Sequence, residues 1–525
     1  MSTPLYWISE SKPIGRRAFL AVTSSLSAAA LWSQRSFGAV TTQATFSDYP
    51  FQLGVASGEP RPESVVLWTR LAPKPLEGGG VPDVPIEVEW LIAEDEALTR
   101  VVQKGSVVAT PDWAHSVHVE VEGLQPDRWY WYQFRAGGEL SPKGRTRTMP
   151  PLELPVNRLR LAFASCQHFE TGFYTAYEHM LREDLDLVIH LGDYIYEGPA
   201  KNGGVRRHVG PKLKTIADYR TRYAQYKSDP ALQAMHAAVP WIVTWDDHEV
   251  ENNYAGLTQE KPGTTEDEFR AQRAAAYKAY YEHMPLRRLQ LPHGPDMSLY
   301  RRVSFGRLAE FYVLDTRQYR TQQPCGDGNK PPCEGVYDPQ ATILGETQRN
   351  WLLKGLEGSR AMWNALTQQV MMAKVDFTLG DAVTHSMDQW PGYEMDRRRV
   401  IRFLHEHKIR NPIVLTGDIH SNWANEIIAD FDDLGSPTVA AEFVGTSISS
   451  GGDGKGNTEN LSERLAENPF VKFYNAERGY VSCEITPQAW RSDYRTVEYV
   501  TRPGAPLKTR ASFVVESGSP KLQTA

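Results

Sequence analysis

Three stretches of this chain run apolar and then break at once into groups that hold hard metal ions. LDLVIHLGDYIYE (Leu185 to Glu197), WIVTWDDHEVENN (Trp241 to Asn253) and PIVLTGDIHSNW (Pro412 to Trp423) each end an apolar run in Asp. His follows one or two residues later in the second and third. A lone Asp at the end of a strand is usually a cap or turn residue. Three such ends loaded with Asp, His and Asn are different, because gathered carboxylates repel one another and call for a compensating cation. A binuclear centre of hard ions meets that requirement. Its chemistry would be hydrolytic, since a bound cation lowers the pKa of water and neutralises an anionic substrate. No G-x-S-x-G elbow offers a competing nucleophile.

The elements that must position these groups are strands. Leu185, Leu187, Val188, Ile189 and Leu191 suit a strand buried on both faces, broken at Gly192. From residue 154 to 525 such runs alternate with amphipathic stretches such as Tyr174 to Glu183 and Glu266 to His283. LRLAFASC, DLVIHLGD, WIVTWDD, EFYVLD, QQVMMAKVD and PIVLTGD each end in a polar residue. The pattern predicts an α/β layered domain with mixed sheets, its site beyond the carboxyl ends of the strands. Residues 41–153 read differently. Short alternating segments separated by Pro, Gly and Asp clusters predict an antiparallel β-sandwich, and LQPDRWYWYQFRA resembles the Tyr-bearing strand of fibronectin type III domains. A Pro-rich seam at Met149 to Pro155 reads as the linker. The Gly-rich stretch 450–464 is either a rim of the site or a plain surface excursion.

A net charge of −7 over 525 residues provides no electrostatic footprint for nucleic acid. Gly15-Arg16-Arg17-Ala18-Phe19-Leu20 opens a weakly apolar segment that ends in small residues near Ser36 to Ala39, so residues 1–39 resemble a twin-arginine signal peptide. The segment is too short and too rich in Ser and Ala for a stable membrane anchor. These features predict use of the twin-arginine export machinery and a periplasmic or extracellular location. In an oxidising compartment Cys325 and Cys333, bracketing CGDGNKPPC, read as a local disulfide, with two free thiols as the alternative. Cys483, in the alternating run YVSCEI, reads as a buried strand residue.

SCQHF (Ser165 to Phe169), GDYIYE, TWDDHEVENN, LDTRQYR (Leu314 to Arg320) and GDIHSNW follow in order behind the sandwich and the signal. The set resembles the PhoD-type alkaline phosphatase and phosphodiesterase family, over essentially the whole mature chain. That family is similar in its site to purple acid phosphatases and other calcineurin-like metallophosphoesterases, whose blocks read GDxxY, GNHE and GHxH. The resemblance implies a metallophosphoesterase-like catalytic domain over 154–525 holding Fe3+ and Ca2+, and a metal-activated hydroxide attacking phosphorus in a mono- or diester.

Carried onto this chain, the resemblance makes Asp193 the carboxylate bridging the metals and Tyr196 a phenolate on iron. Cys166, standing where related enzymes put Asp, becomes a thiolate on iron, and His420 completes the iron ligands. Asp418 and Asp247 replace a His and an Asn of the related blocks, which favours Ca2+ at the second position. Asn253, beside Asn252, would add an amide oxygen or touch phosphate. His248 corresponds to the His that donates toward phosphate and the leaving group. Arg317 is expected either to fork onto phosphate oxygens or to pair with Asp315 or another strand-end carboxylate. Asp376 and Lys374 end a predicted strand where relatives carry a ligand His, while His168, His190 and His385 are expected to be structural or peripheral. Two alternatives stand beside the phosphoric ester hydrolase: a phospholipase D-like phospholipid diesterase, and a non-catalytic, metal-stabilised surface binding protein.

Overall fold

Two β-sheets packed face to face, each backed by helices, position the strand ends that the sequence singles out. The computed structural model describes residues 44–261, 263–456 and 458–525. The export signal expected over residues 1–39 lies outside them. Among the described residues no helix is long and apolar enough to cross a membrane.

The first sheet has a parallel centre, Leu159–Ala164, Leu187–His190 and Trp241–Val243, with Ile189 level with Phe163 and Ile242. Every residue of the second and third of these strands is buried, as a strand covered on both faces must be. The second sheet is also parallel at its centre, through Ala309–Val313, Trp363–Thr367, Pro412–Thr416 and Thr438–Val444. Between the sheets lies an apolar layer, with Leu161, Phe163, Leu187 and Ile189 of the first facing Phe311, Trp363, Ile413 and Phe443 of the second. The outer face of the first sheet packs Val188, Trp241 and Val243 against a tyrosine-rich set on the helices Ile216–Lys227 and Glu266–His283. The outer face of the second packs Leu366 and Val414 against Gly345–Gly358 and Glu394–Glu406.

The 15-residue strand Val471–Ile485 belongs to both sheets. Its start pairs with Asn422–Ile428 of the second sheet, and its end pairs with Leu159–Ala164 of the first.

The sandwich expected over residues 41–153 is present as two layers around one core. Strands Ile86–Ala93, Val101–Ala109 and Trp129–Ala136 form one layer, and Val55–Arg61, Ser64–Arg70 and Ser116–Glu122 form the other. The second of these layers is not a separate sheet. Gly58 pairs in parallel with Trp241, so the layer continues the first sheet of the larger domain. A Cβ at Gly58 would stand 2.6 Å from the carbonyl oxygen of Pro285 and 2.8 Å from that of Trp241, so the approach is open to glycine alone. The seam is likewise no free linker: Met149 is fully buried and its N–H donates to the Arg61 carbonyl.

One predicted strand is displaced. The apolar run Val370 to Ala373 reads as the end of QQVMMAKVD, yet the strand is Trp363–Thr367 and the run beyond it is a buried, irregular segment. The Glu442 carboxylate accepts the N–H groups of Met372 and Ala373, which replaces the strand partners those groups lack. Gln368 and Gln369 therefore occupy the strand end, and Asp376 turns back to bind the N–H groups of Thr378 and Thr384.

Candidate active site

The carboxyl ends of the parallel strands from both sheets converge. Cys166 follows Leu159–Ala164, Asp193 and Tyr196 follow Leu187–His190, and Asp246, Asp247 and His248 follow Trp241–Val243. From the second sheet come Arg317, after Ala309–Val313, and Asp418 with His420, after Pro412–Thr416. This is the position at which α/β sheets bind ligands.

The backbone in these turns is unusual. Cys166, Asp193, Asn253, Asp418 and His420 all have φ between 50° and 63°, the left-handed region that side chains other than glycine rarely adopt. Strain of this kind costs about 1–3 kcal/mol per residue and persists where surrounding structure imposes it. Here the surroundings are identifiable. The Cys166 and Gln167 N–H groups donate to the carbonyls of Gly192 and Asp193, which locks the first turn to the second. The Glu249 carboxylate accepts N–H groups from Asp193 (3.1 Å), Tyr194 (2.5 Å) and Asp246 (2.8 Å), which locks the second to the third. Gly192, at φ 108°, permits that contact, since a Cβ there would lie 2.4 Å from the Asp246 nitrogen.

The side chains form linked groups. Ligand atoms of Cys166, Asp193 and His420 lie within 4.8 Å of one another, as do those of Asp193, Asp247 and His248, and those of Asp246, Asp247 and Asp418. Tyr196 joins the first group, its hydroxyl donating to Asp193 Oδ2 at 2.7 Å and lying 3.1 Å from His420 Nε2. Ser450 donates to that hydroxyl at 2.7 Å, so the Gly-rich stretch does reach the site.

Arg317 is fully buried, and its guanidinium donates to Asp246, to Asp388 at 2.7 Å and to Asp418 at 3.1 Å. Of its two expected roles, pairing with carboxylates is the geometry observed, with four acids other than Asp315, since Asp247 lies 3.6 Å away as well. Asn253 donates its backbone N–H to Asp247 Oδ2 at 2.6 Å, and Asn252 lines the neighbouring cavity.

The electrostatics describe acids that cannot all ionise without added positive charge. Burial pushes the Asp193 carboxyl well above its ordinary range; His248 pulls it back, and Asp247, Glu249 and Asp418 raise it further. Burial, then Asp193, raises the Cys166 thiol. Burial, then Asp193 and Cys166, raises the Tyr196 phenol. Burial, then Arg478, lowers His420 to about 3, which leaves a neutral imidazole able to ligate a metal. Asp193 Oδ1, Asp246 Oδ2 and Asp247 Oδ1 are buried with no hydrogen-bond partner, an arrangement that is costly unless something else satisfies them. Sulfur, phenol, imidazole and carboxylate on one side, with carboxylates on the other, fit a softer ion beside a harder one.

His248 stands at the edge of this centre. Its Nδ1 lies 2.7 Å from Glu197 Oε2, and its ring lies 4.1 Å from that of Tyr196, tilted by 32°. Burial would lower its pKa, but Glu197, Asp193 and Asp247 raise it well above the ordinary value. It opens on a cavity of about 660 Å3 also lined by Lys201, Lys212, Lys214 and Lys261.

Sequence reasoning missed several groups. His168, expected to be structural or peripheral, lines that cavity with its ring 4.4 Å from Tyr196. His190 and His385 do lie apart, stacked on Trp241 and bonded to the Val375 carbonyl. Glu197 and Glu249 stand inside quoted motifs and were given no role. Asp388, which pairs with Arg317 and Arg320, and Arg478, which donates to the His420 carbonyl, sit on segments that carried no signal.

Comparison with known proteins gives the family. The family model described as PhoD-like phosphatase matches residues 161–494, and that for the PhoD-like phosphatase N-terminal domain matches residues 37–150. Alkaline phosphatase D of Bacillus subtilis (strain 168) is 52% identical over 496 residues, 93% of this chain and 85% of that protein. A solved structure of PhoD superposes with a TM-score of 0.90 at 52% identity, covering 92% of this chain and 93% of that one. The purple acid phosphatase PPD1 from yellow lupin seeds shares the fold, with a TM-score of 0.52 at 11% identity over 88% of this chain and 74% of that one. These matches leave the non-catalytic alternative without support. The chain belongs to the PhoD-like phosphatase family and is a hydrolase of phosphoric esters.

Proposed function

We propose that this hydrolase is exported and metal-dependent and that it acts on phosphate monoesters and diesters. The observation that carries the reading is the convergence of Cys166, Asp193, Tyr196 and His420 beside Asp246, Asp247 and Asp418, with buried carboxylate oxygens that no hydrogen bond satisfies. Ferric iron would be held by the first four, and calcium by Asp193, Asp247, Asp418 and Asn253. When bound, these cations supply Lewis acidity, lowering the pKa of water and offsetting the charge of the phosphate oxygens.

The chain's own residues do the rest. Lys201 and Lys214 line that cavity outside any ion pair among the described residues and would draw in an anionic ester, while Lys212 and Lys261 pair with Glu251 and Glu260. Glu197 orients His248, whose side chain is 19% exposed, so that the imidazolium can protonate the departing alkoxide. Arg317 holds Asp246, Asp388 and Asp418 in place, and its commitment to these acids favours that role over a fork on phosphate. Export by the twin-arginine route is supported by the Arg16-Arg17 segment and by the Cys325–Cys333 disulfide, which suits an oxidising compartment. For the amino-terminal sandwich a fibronectin type III-like plan is supported by the Tyr130 hydroxyl, which bonds the Gln125 backbone five residues upstream.

One observation favours the phospholipid diesterase. An apolar cavity of about 240 Å3, lined by Phe377, Trp423, Leu461 and Leu465, includes Ile419 and Ser421 on either side of His420.

The test is elemental analysis of the purified protein with assay of an aryl phosphate, a bis-aryl phosphate and a long-chain phosphodiester. Iron and calcium with turnover of the first two are expected. Zinc alone would overturn the ligand assignment, and turnover confined to the long-chain ester would establish the diesterase.

A further inference from the structure

The disulfide-closed loop Cys325–Cys333 has no part in the site as described so far, yet one of its side chains reaches it. Asn253 Nδ2 donates to Asp327 Oδ2 at 2.8 Å, while the other oxygen of Asp327 is buried with no hydrogen-bond partner. We propose that Asp327 is the positioning residue for Asn253 and that the disulfide loop clamps the calcium side of the site through it.

The argument is one of amide orientation. An amide presents an oxygen at one end and an NH2 at the other, and only the oxygen suits a hard cation. A carboxylate accepts and never donates, so Asp327 can bond only the NH2 end of Asn253. The amide oxygen, which among the described residues accepts no hydrogen bond, is thereby turned away from Asp327. Everything else about Asn253 is already fixed. Its backbone lies at φ 50°, its N–H is bonded to Asp247, and its carbonyl accepts from Arg320 and Gln323 at 3.0 Å each. The side-chain rotation is the one freedom left, and Asp327 removes it.

The loop is built to hold Asp327 there. The Cys325–Cys333 bond closes it, Asn329 and Lys330 pair with Ser386 and His385, and the Gly328 carbonyl accepts the Met387 N–H at 3.0 Å. The following residue, Asp388, bonds Arg317, Arg320 and Gln323. The loop is thus tied to the acid cluster from two directions. Groups that orient ligands in this way typically contribute 10–100-fold to metal affinity.

This inference rests on reading Asn253 as a calcium ligand. The experiment uses the full mature protein, iron-loaded and stripped of calcium, titrated with Ca2+ by calorimetry and by the calcium-dependent rise in Tm. Parent, Asp327→Ala, Asp327→Asn, Asn253→Ala and a Cys325→Ser/Cys333→Ser double variant are compared. Calcium affinity is expected to fall about 10–100-fold in Asp327→Ala and to fall in the double variant and in Asn253→Ala, with iron content unchanged. Asp327→Asn, whose amide oxygen still accepts the bond, is expected to stay near the parent. Parental affinity in Asp327→Ala with a loss in Asn253→Ala overturns the clamp and leaves Asn253 a ligand. Parental affinity in Asn253→Ala removes the ligand reading itself. An Asp327→Asn as weak as Asp327→Ala overturns the acceptor role.

Discussion

His248 and Lys227 show opposite uses of burial. His248 is surrounded by acids that keep it charged, and the Glu197 contact fixes one ring nitrogen so that the other can serve a leaving group. Replacing it with Ala is expected to lower kcat about 100- to 10,000-fold on a poor leaving group, and less on an activated aryl ester whose oxygen needs no proton. Equal losses on both would remove the acid role. Lys227 is buried with no carboxylate within ion-pair distance among the described residues. It rests 4.2 Å over the Trp68 ring, and burial lowers its pKa to about 7. Between that value and the unfolded 10.5 the unfolded chain binds the extra proton, so this group makes stability rise with pH, by about 1.4 kcal/mol per unit. Lys227→Met is therefore expected to raise Tm at pH 7 and below, with the gain shrinking toward pH 10; a gain independent of pH would refute the assignment.

Turns decide what the strands deliver. Gly192→Ala places a methyl group against the Asp246 nitrogen in a left-handed turn, and should destabilise by about 1–3 kcal/mol while lowering iron content, because it separates the turns bearing Asp193 and Asp246. Iron content equal to that of the parent would show that the contact is dispensable. The helix Glu266–His283 begins at Thr265, whose hydroxyl accepts the Glu268 N–H while the Glu268 carboxylate returns to the Thr265 N–H. Thr265→Ala should cost about 1 kcal/mol in chemical denaturation without changing turnover, as the cap lies on the outer layer. Elements of this kind were legible because hydrophobic period and caps are local: the three Asp-bearing strand ends, the helix from Glu266 and the disulfide all follow from short spacings. The displaced strand at Trp363–Thr367 was not, because Val370 to Ala373 is apolar for burial in a loop that Glu442, some seventy residues on, sustains. Asp327, Asp388 and Arg478 escaped for a related reason: each acts through a partner brought close only by the fold, the first two from irregular segments and Arg478 from the strand Val471–Ile485.

The whole molecule divides the site between its two sheets. Cys166, Asp193, Tyr196 and Asp247 ride on the first, Arg317, Asp418 and His420 on the second, so neither half carries the whole of the iron set proposed above. Chelation of both metals is accordingly expected to lower Tm by more than loss of a surface ion would, and to abolish turnover. Readdition of iron and calcium should restore both, and full activity in exhaustively chelated protein would refute metal dependence. The strand Val471–Ile485 joins the two sheets at their margin, far along the chain from the motifs it aligns. It acts as a hinge pin that has been welded: the two slabs share one backbone and so cannot slide past each other, and a cation gripped from both sides becomes a rivet at a second point. Amide hydrogen exchange should then slow in both sheets together when metal is added, including in segments that touch no ligand.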